Sequence, residues 1–137
     1  MNERIRDSFN KQTMMQTLGA RLASIDPGQV VITAPILKSS TQQQGFGHAA
    51  LTFAIGDTAA GYSALTLMPD GDEVLTSEIK INLLAPSKGD YLRATGKVIK
   101  PGKRLVVVTA EVEAIVDDTA TTIAILQGTM VPVTPRS

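Results

Sequence analysis

Asp57 is the only charged residue between His48 and Asp70. On a helix its neighbours three and four positions away are Phe53, Ala54, Ala60 and Gly61, all apolar or small. A carboxylate in such company either caps a distant backbone donor or serves a cavity, because perturbed carboxylates occur in structural as well as functional settings. Burial against Phe53, Ala54 and Ala60 would raise its proton affinity above the ~3.9 of a free Asp side chain, which suits a base near neutral pH. A pH–rate profile flat down to about pH 4 would contradict that shift. Just upstream runs Gln42-Gln43-Gln44-Gly45-Phe46-Gly47-His48-Ala49-Ala50. The small residues there let a ligand approach the backbone, and free N–H groups at a helix start carry partial positive charge. Such donors can hold an oxygen that gains negative charge during a reaction. The same residues can equally serve to pack the helix entry, and His48 can be a structural hydrogen-bonder or a base.

Composition narrows the classes. The chain has 137 residues, 13 basic and 13 acidic side chains, one His and no Cys. The length fits a single domain over residues 1–137. Zero net charge argues against nucleic-acid binding, which needs a basic surface, and against a polybasic membrane anchor. The lack of Cys removes disulfides, thiolate nucleophiles and zinc–thiolate sites. One His cannot build a multi-histidine metal site, and a Ser-His-Asp triad would have to use His48. Near-neutral charge makes self-association easy. The apolar stretch from Ala49 to Met68 carries Asp57 near its middle, which costs about 2.5–3.5 kcal/mol in a membrane. It reads as a buried helix of a water-soluble protein. The first residues lack the pattern of a secretory signal, so the expected compartment is the cytoplasm.

The elements that would position these residues follow from periodicity. Residues 3–16 predict a short amphipathic helix with Ile5 and Phe9 at helical spacing. Leu18 to Ile25 and Gln29 to Ile36 predict strands about an Asp26-Pro27-Gly28 turn. A long helix is expected from His48 to Leu67, stopped by Met68-Pro69-Asp70-Gly71. Four strands follow: Val74 to Leu84, Tyr91 to Lys100, Arg104 to Val116 and Thr121 to Val133. Turns at Ser87–Asp90, Pro101-Gly102 and Asp117-Asp118 join them. Short turns force antiparallel neighbours, and a helix apolar on most sides must be wrapped on most sides. Gly96 and Gly128 fall mid-strand, where a missing side chain allows close backbone approach. In the last strand Ile123, Ile125 and Val131 share one face, and Ala124, Leu126 and Met130 the other. With one face on the helix, the second suggests an oligomer interface.

Gly-Phe-Gly-His48-Ala-Ala, with Asp57 nine positions after the His, resembles the His-Gly-Gly…Asp signature of PaaI-type hotdog-fold thioesterases. Thr76 to Pro86 resembles the family's next strand and closing Pro. Gly89, Gly102-Lys103 and Gly128-Thr129 also have counterparts, and the resemblance spans about residues 17–133. It implies an α+β hotdog fold, a long central helix wrapped by a curved antiparallel sheet. It implies hydrolysis of an acyl-CoA thioester without metal or cofactor. Asp57 would act as general base or nucleophile, the Ala49 N–H would hold the carbonyl oxygen, and Gln42, or Gln43 or Gln44 beside it, would orient water or substrate. Thr76 takes the place of the family's Ser or Thr on the next strand. The site would form between subunits, with Asp57 and Thr76 of one chain facing Gln42 and Ala49 of another, in a dimer that pairs into a dimer of dimers.

Two details depart from the signature. Ala49 and Ala50 replace the Gly pair, which keeps the N–H but adds methyl groups near the carbonyl. Simple alternation puts Thr76 on the polar face with Glu78 and Lys80, so a bulge or twist is needed to aim it at Asp57. Substrate contacts are expected at Gly47, Ala50 and Phe53. Lys100, Lys103 and Arg104 are candidates for the phosphorylated end of CoA, with Lys80, Arg93 and Lys97 as further ones, though each also suits a solvated strand. Phe46, Phe53, Tyr62 and Met14-Met15 line an acyl pocket or belong to the core. A non-catalytic acyl-CoA-binding module is the alternative function. A hotdog dehydratase or hydratase fits less well, because Gly47-His48-Ala49 lacks that family's Pro-rich context.

Overall fold

The computed structural model of the chain describes residues 2–135. Two short helices open it, α1 (Asn2–Asn10) and α2 (Thr13–Leu18). Periodicity predicted one helix over residues 3–16, but the chain breaks at Gln12, whose backbone is extended. The core explains the break. On a continuous helix residue 15 would lie roughly 240° around the axis from residue 9. Interrupting the helix lets Ile5, Phe9 and Met15 all be buried. Gly19, at φ 70°, caps α2 in the left-handed region and delays the first strand.

The strands are β1 (Arg21–Asp26), β2 (Gln29–Ala34), β3 (Glu73–Leu83), β4 (Tyr91–Lys100), β5 (Val106–Val116) and β6 (Thr119–Val133). They form one antiparallel sheet in the order β1-β2-β4-β5-β6-β3. Between β2 and β3 the chain runs through a short 3-10 turn at Lys38–Ser40 and then α3 (Ala49–Leu65). At 17 residues α3 is about 26 Å long. It packs on β2, β3, β4, β5 and β6, burying Leu51, Ile55, Ala59 and Leu65 against Ile32, Leu92, Val108 and Leu126. The curved sheet around one long helix is the hotdog arrangement.

Two glycines set how closely the layers meet. A Cβ on Gly96 would lie 2.3 Å from the Ala59 carbonyl oxygen, so helix backbone rests directly on β4. A Cβ on Gly128 would lie 2.3 Å from the Glu78 carbonyl oxygen, against the neighbouring strand β3. Both match the close approach expected from their mid-strand positions.

The two faces of β6 are less alike than alternation predicted. Ala124, Leu126 and Met130 are buried under the helix, whereas Ile125 is 46 % exposed. Ile123 leaves the face of Ile125 and is buried. The pairing shifts between Val112–Ala124 and Glu113–Thr122, so Ile123 is an extra residue in its strand. Its carbonyl accepts from the Leu84 and Ala85 N–H groups, fixing the exit of β3. Exposed apolar residues gather instead on edge strand β3 and its exit, at Leu75, Leu83 and Leu84. Among the described residues no helix is long and apolar enough to cross a membrane.

Candidate active site

The entry to α3 is built by two short bridges. Gly47 pairs with Thr41 on one side and with Ser87 on the other, and its N–H donates to the Ser87 carbonyl at 2.7 Å. The His48 N–H donates to the Ser40 carbonyl at 2.8 Å. The intervening residues form a tight loop in which the Gln42 N–H reaches the Phe46 carbonyl and Gly45 takes φ 87°. The chain therefore enters the helix on a fixed track. Gly47 sits close under Ser87, since a Cβ there would lie 2.5 Å from Ser87 Oγ and 3.1 Å from its Cβ, so a side chain would force Ser87 to shift.

His48 is the N-cap of α3. Its Nδ1 accepts from the Ala50 N–H at 2.8 Å. A ring nitrogen that accepts carries no proton, so this geometry assigns the proton of the neutral ring to Nε2. The structure thus gives His48 a capping role. With Ala50 engaged, the Ala49 N–H has no protein acceptor among the described residues. It stands at the positive end of a 17-residue helix dipole.

Around it lies a cavity of about 350 Å³, lined by Gln42, Gln43, Gln44, Gly47, Ala49, Thr52 and Ser87, with Phe46, Leu83 and Pro86 as an apolar wall. Gln42, Gly47, His48 and Ala49 are thereby brought together. The Gln42 side chain is partly committed to its own loop, where Oε1 accepts from the Gln44 and Phe46 N–H groups. A second, smaller cavity of about 280 Å³ opens on the other side of His48, walled by Met14, Leu18, Ala50, Leu51 and Ala54. Met14 lines this cavity, whereas Met15 and Tyr62 are buried in the core.

Asp57 lies elsewhere on the same helix, half-buried. Thr76 Oγ1 donates to its Oδ1 at 2.7 Å. Strict alternation would have turned Thr76 away, and a bulge corrects this. Thr76 pairs with Met130 and Glu78 with Thr129, which leaves Ser77 as the extra residue. Val74 and Thr76 before the bulge and Ile79 and Ile81 after it therefore share the helix-facing side. Burial pushes the Asp57 carboxyl above the usual carboxylate range, and the Thr76 hydrogen bond partly opposes this.

Asp57 and Ala49 are eight residues apart on α3, about 12 Å along its axis. Phe53 lies between them on the same stripe and is 36 % exposed. Phe53 lines neither of the cavities at the helix entry. Lys100 ends β4, and Lys103 and Arg104 occupy the exposed turn into β5; none of the three borders those cavities. The sequence reading missed Ser87 and Lys88, which it took only as a turn. Lys88 Nζ sits 5.9 Å above the Phe46 ring. Ser87 is buried beside Gly47, and its Oγ has no hydrogen-bond partner.

Comparison with known proteins bears on this arrangement. The sequence pattern of the thioesterase superfamily matches residues 44–121, the stretch that holds the cap, Asp57 and Thr76. A solved thioesterase family protein from Silicibacter pomeroyi is 38 % identical, covers 98 % of each chain and superposes with a TM-score of 0.95. The E. coli PaaI protein from the phenylacetic acid degradation operon shares the fold at 24 % identity and a TM-score of 0.82, covering 93 % of this chain and 89 % of that one. A protein of Saccharolobus solfataricus named as an esterase is 29 % identical over 108 residues, 78 % of this chain and 76 % of its own.

Proposed function

The chain belongs to the thioesterase superfamily, and on that premise we propose that it hydrolyses an acyl-CoA thioester to a free acid and CoA. One observation carries the reading. Asp57 is a half-buried carboxylate held by Thr76, with its proton affinity raised, within the stretch that matches the superfamily.

As general base, Asp57 takes a proton from water while the water oxygen bonds to the thioester carbonyl carbon. The carbonyl oxygen becomes an oxyanion and is held by the Ala49 N–H. Collapse of that intermediate breaks the C–S bond, and the CoA thiolate leaves and takes up the proton that Asp57 carried. In the nucleophilic variant the Asp57 carboxylate attacks the carbonyl carbon, the C–S bond breaks and the CoA thiolate leaves; water then hydrolyses the anhydride to the free acid and the Asp57 carboxylate, and the proton released is taken up by the thiolate. Thr76 orients the carboxylate in both.

Distance decides how the parts combine. One thioester carbonyl cannot touch both Asp57 and Ala49 of one helix across about 12 Å. The site therefore takes Asp57 and Thr76 from one subunit and Ala49 and the Gln42 loop from a second. The unpaired edge of β3, with Leu75, Leu83 and Leu84 exposed, supports such pairing, and a dimer of dimers follows if the exposed Ile125 face is also covered. The acyl group enters the apolar cavity walled by Met14, Leu18 and Ala54, which meets the first cavity at His48.

The test is thiol release from a panel of aromatic and aliphatic acyl-CoAs. The absence of Cys leaves no protein thiol background. Turnover by the wild type and a drop of about 10³-fold in Asp57→Asn is expected. Binding without turnover on every substrate would replace this reading with a binding module.

A further inference from the structure

The Ser87 hydroxyl is a buried side-chain polar group beside the helix entry that the fold leaves without a partner. Ser87 is 6 % exposed, and its Oγ has no hydrogen-bond partner in the protein. A buried polar group without a partner costs free energy, and native structures keep few of them. Its backbone is fully employed, since the Ser87 carbonyl accepts the Gly47 N–H. The side chain is held over the Gly47 backbone, where a Cβ on Gly47 would lie 2.5 Å from Oγ. Ser87 lines the same 350 Å³ cavity as Ala49, whose N–H also lacks an acceptor. Two residues that each carry a donor without an acceptor thus line one cavity, one at the start of α3 and one on the segment after β3, and since Ser87 Oγ is itself covered, a turn about χ1 is what brings it to a ligand.

Their chemistry is matched. Each offers one hydrogen, the Ala49 N–H is fixed by the helix, and a Ser hydroxyl rotates to suit its acceptor. An oxygen carrying partial negative charge would satisfy both. Resting on the thioesterase reading above, we propose that Ser87 Oγ–H is a second donor to the substrate carbonyl oxygen, completing with the Ala49 N–H a two-donor oxyanion hole. The hydroxyl passes from unpaired to paired only when ligand is present, so its cost in the free protein is released on binding.

This predicts a signature that a structural serine would not give. Removing an unpaired buried hydroxyl leaves folding stability unchanged or raised. Removing an oxyanion donor lowers affinity for a carbonyl-bearing ligand and slows turnover. The experiment uses the intact protein and its Ser87→Ala variant. The probes are the ketone analogues of phenylacetyl-CoA and hexanoyl-CoA, with a methylene in place of the thioester sulfur, and hexyl-CoA, which has no acyl carbonyl. Calorimetric titration should show ketone binding weakened about tenfold in Ser87→Ala, with hexyl-CoA unchanged. Thiol release should fall in kcat/KM by about 10- to 100-fold, with KM raised in step with the weaker ketone binding, while the Tm stays or rises.

Equal loss of both ligand types would overturn the proposal, because Ser87 would then shape the cavity rather than meet the carbonyl. So would a lowered Tm, dissociation of the oligomer, or a variant indistinguishable from wild type. Wild type that binds neither kind of analogue overturns the thioesterase reading, and this proposal with it. Wild type that binds both and loses nothing in Ser87→Ala overturns this proposal alone.

Discussion

The two ends of α3 are built for opposite purposes. At the C-terminal end the Arg4 guanidinium reaches from α1 to the last carbonyls. Nη2 donates to the Leu65 carbonyl at 2.6 Å and to that of Met68 at 3.2 Å, and Nη1 donates to Pro69 at 2.8 Å. A cation there complements the negative end of the helix dipole. Thr66 Oγ1 accepts the Gly28 N–H, and Ser8 and Gln12 both meet the Tyr62 hydroxyl. At the N-terminal end Ala49 and Ala50 are exposed, one N–H is free and a neighbouring hydroxyl is unpaired. One end uses its polar groups to join the helix to the rest of the molecule, and the other keeps them open. Anchoring contacts and unengaged polar groups are thus separated along about 26 Å of a single element.

If that division holds, changes at the open end should abolish activity without unfolding. Ala49→Pro removes the free N–H where proline is tolerated, at the first helical position, and His48 is already extended (φ −65°, ψ 145°) as a pre-proline residue must be. Its kcat should fall about 10²- to 10³-fold with the Tm near wild type. Mixing Ala49→Pro with Asp57→Asn and letting subunits exchange should then restore activity. In a mixed dimer one of the two shared sites recovers both an intact Asp57 and an intact Ala49. No recovery despite proven exchange would show that each site lies within one chain.

The closed end should respond the other way. Arg4→Met removes three charge-assisted hydrogen bonds and is expected to cost about 2–4 kcal/mol in urea unfolding, with kcat per folded molecule unchanged. A large loss of kcat in folded Arg4→Met would end the distinction between the two ends. Thr76→Val removes the hydrogen bond that lowers the Asp57 pKa. The acid limb of kcat/KM should move to higher pH, with kcat reduced about tenfold.

A finer effect concerns stability against pH. Burial raises the folded-state pKa of Asp57, so the folded state binds more protons than the unfolded one between the ordinary and the raised value. Stability should therefore fall as pH rises through that window. Relative to wild type, Asp57→Asn should gain Tm across the same range and show no such gain below it.

Much of this was legible in the residue order, for identifiable reasons. Asp57 could be singled out because it interrupts an otherwise uncharged helix, and Gly96 because a strand seldom leaves its middle bare. Thr76 shows the limit. Alternation put it on the wrong face, and only the requirement that it meet Asp57 called for a bulge, which the structure locates at Ser77. The break at Gln12 was hidden because local periodicity favours one helix, whereas burial of Met15 is a tertiary demand. Ser87 looked like any turn serine. What distinguishes it is the lack of a partner, a property of three-dimensional surroundings rather than of the residue.

The contact between Gly96 and Ala59 has a consequence for how this molecule can change over time. Ala59 is two residues from Asp57, and there the helix meets the sheet main chain to main chain. Side chains elsewhere in the core can be exchanged, and the layers around them can swell or shrink. At this point no side chain intervenes, so the height of the carboxylate above the sheet is referenced to the backbone itself. On the function proposed above, drift in the pocket walls would retune which acyl groups fit while the Asp57 carboxylate stays in register, much as a shaft seated on a bare shoulder keeps its position when the parts around it are replaced.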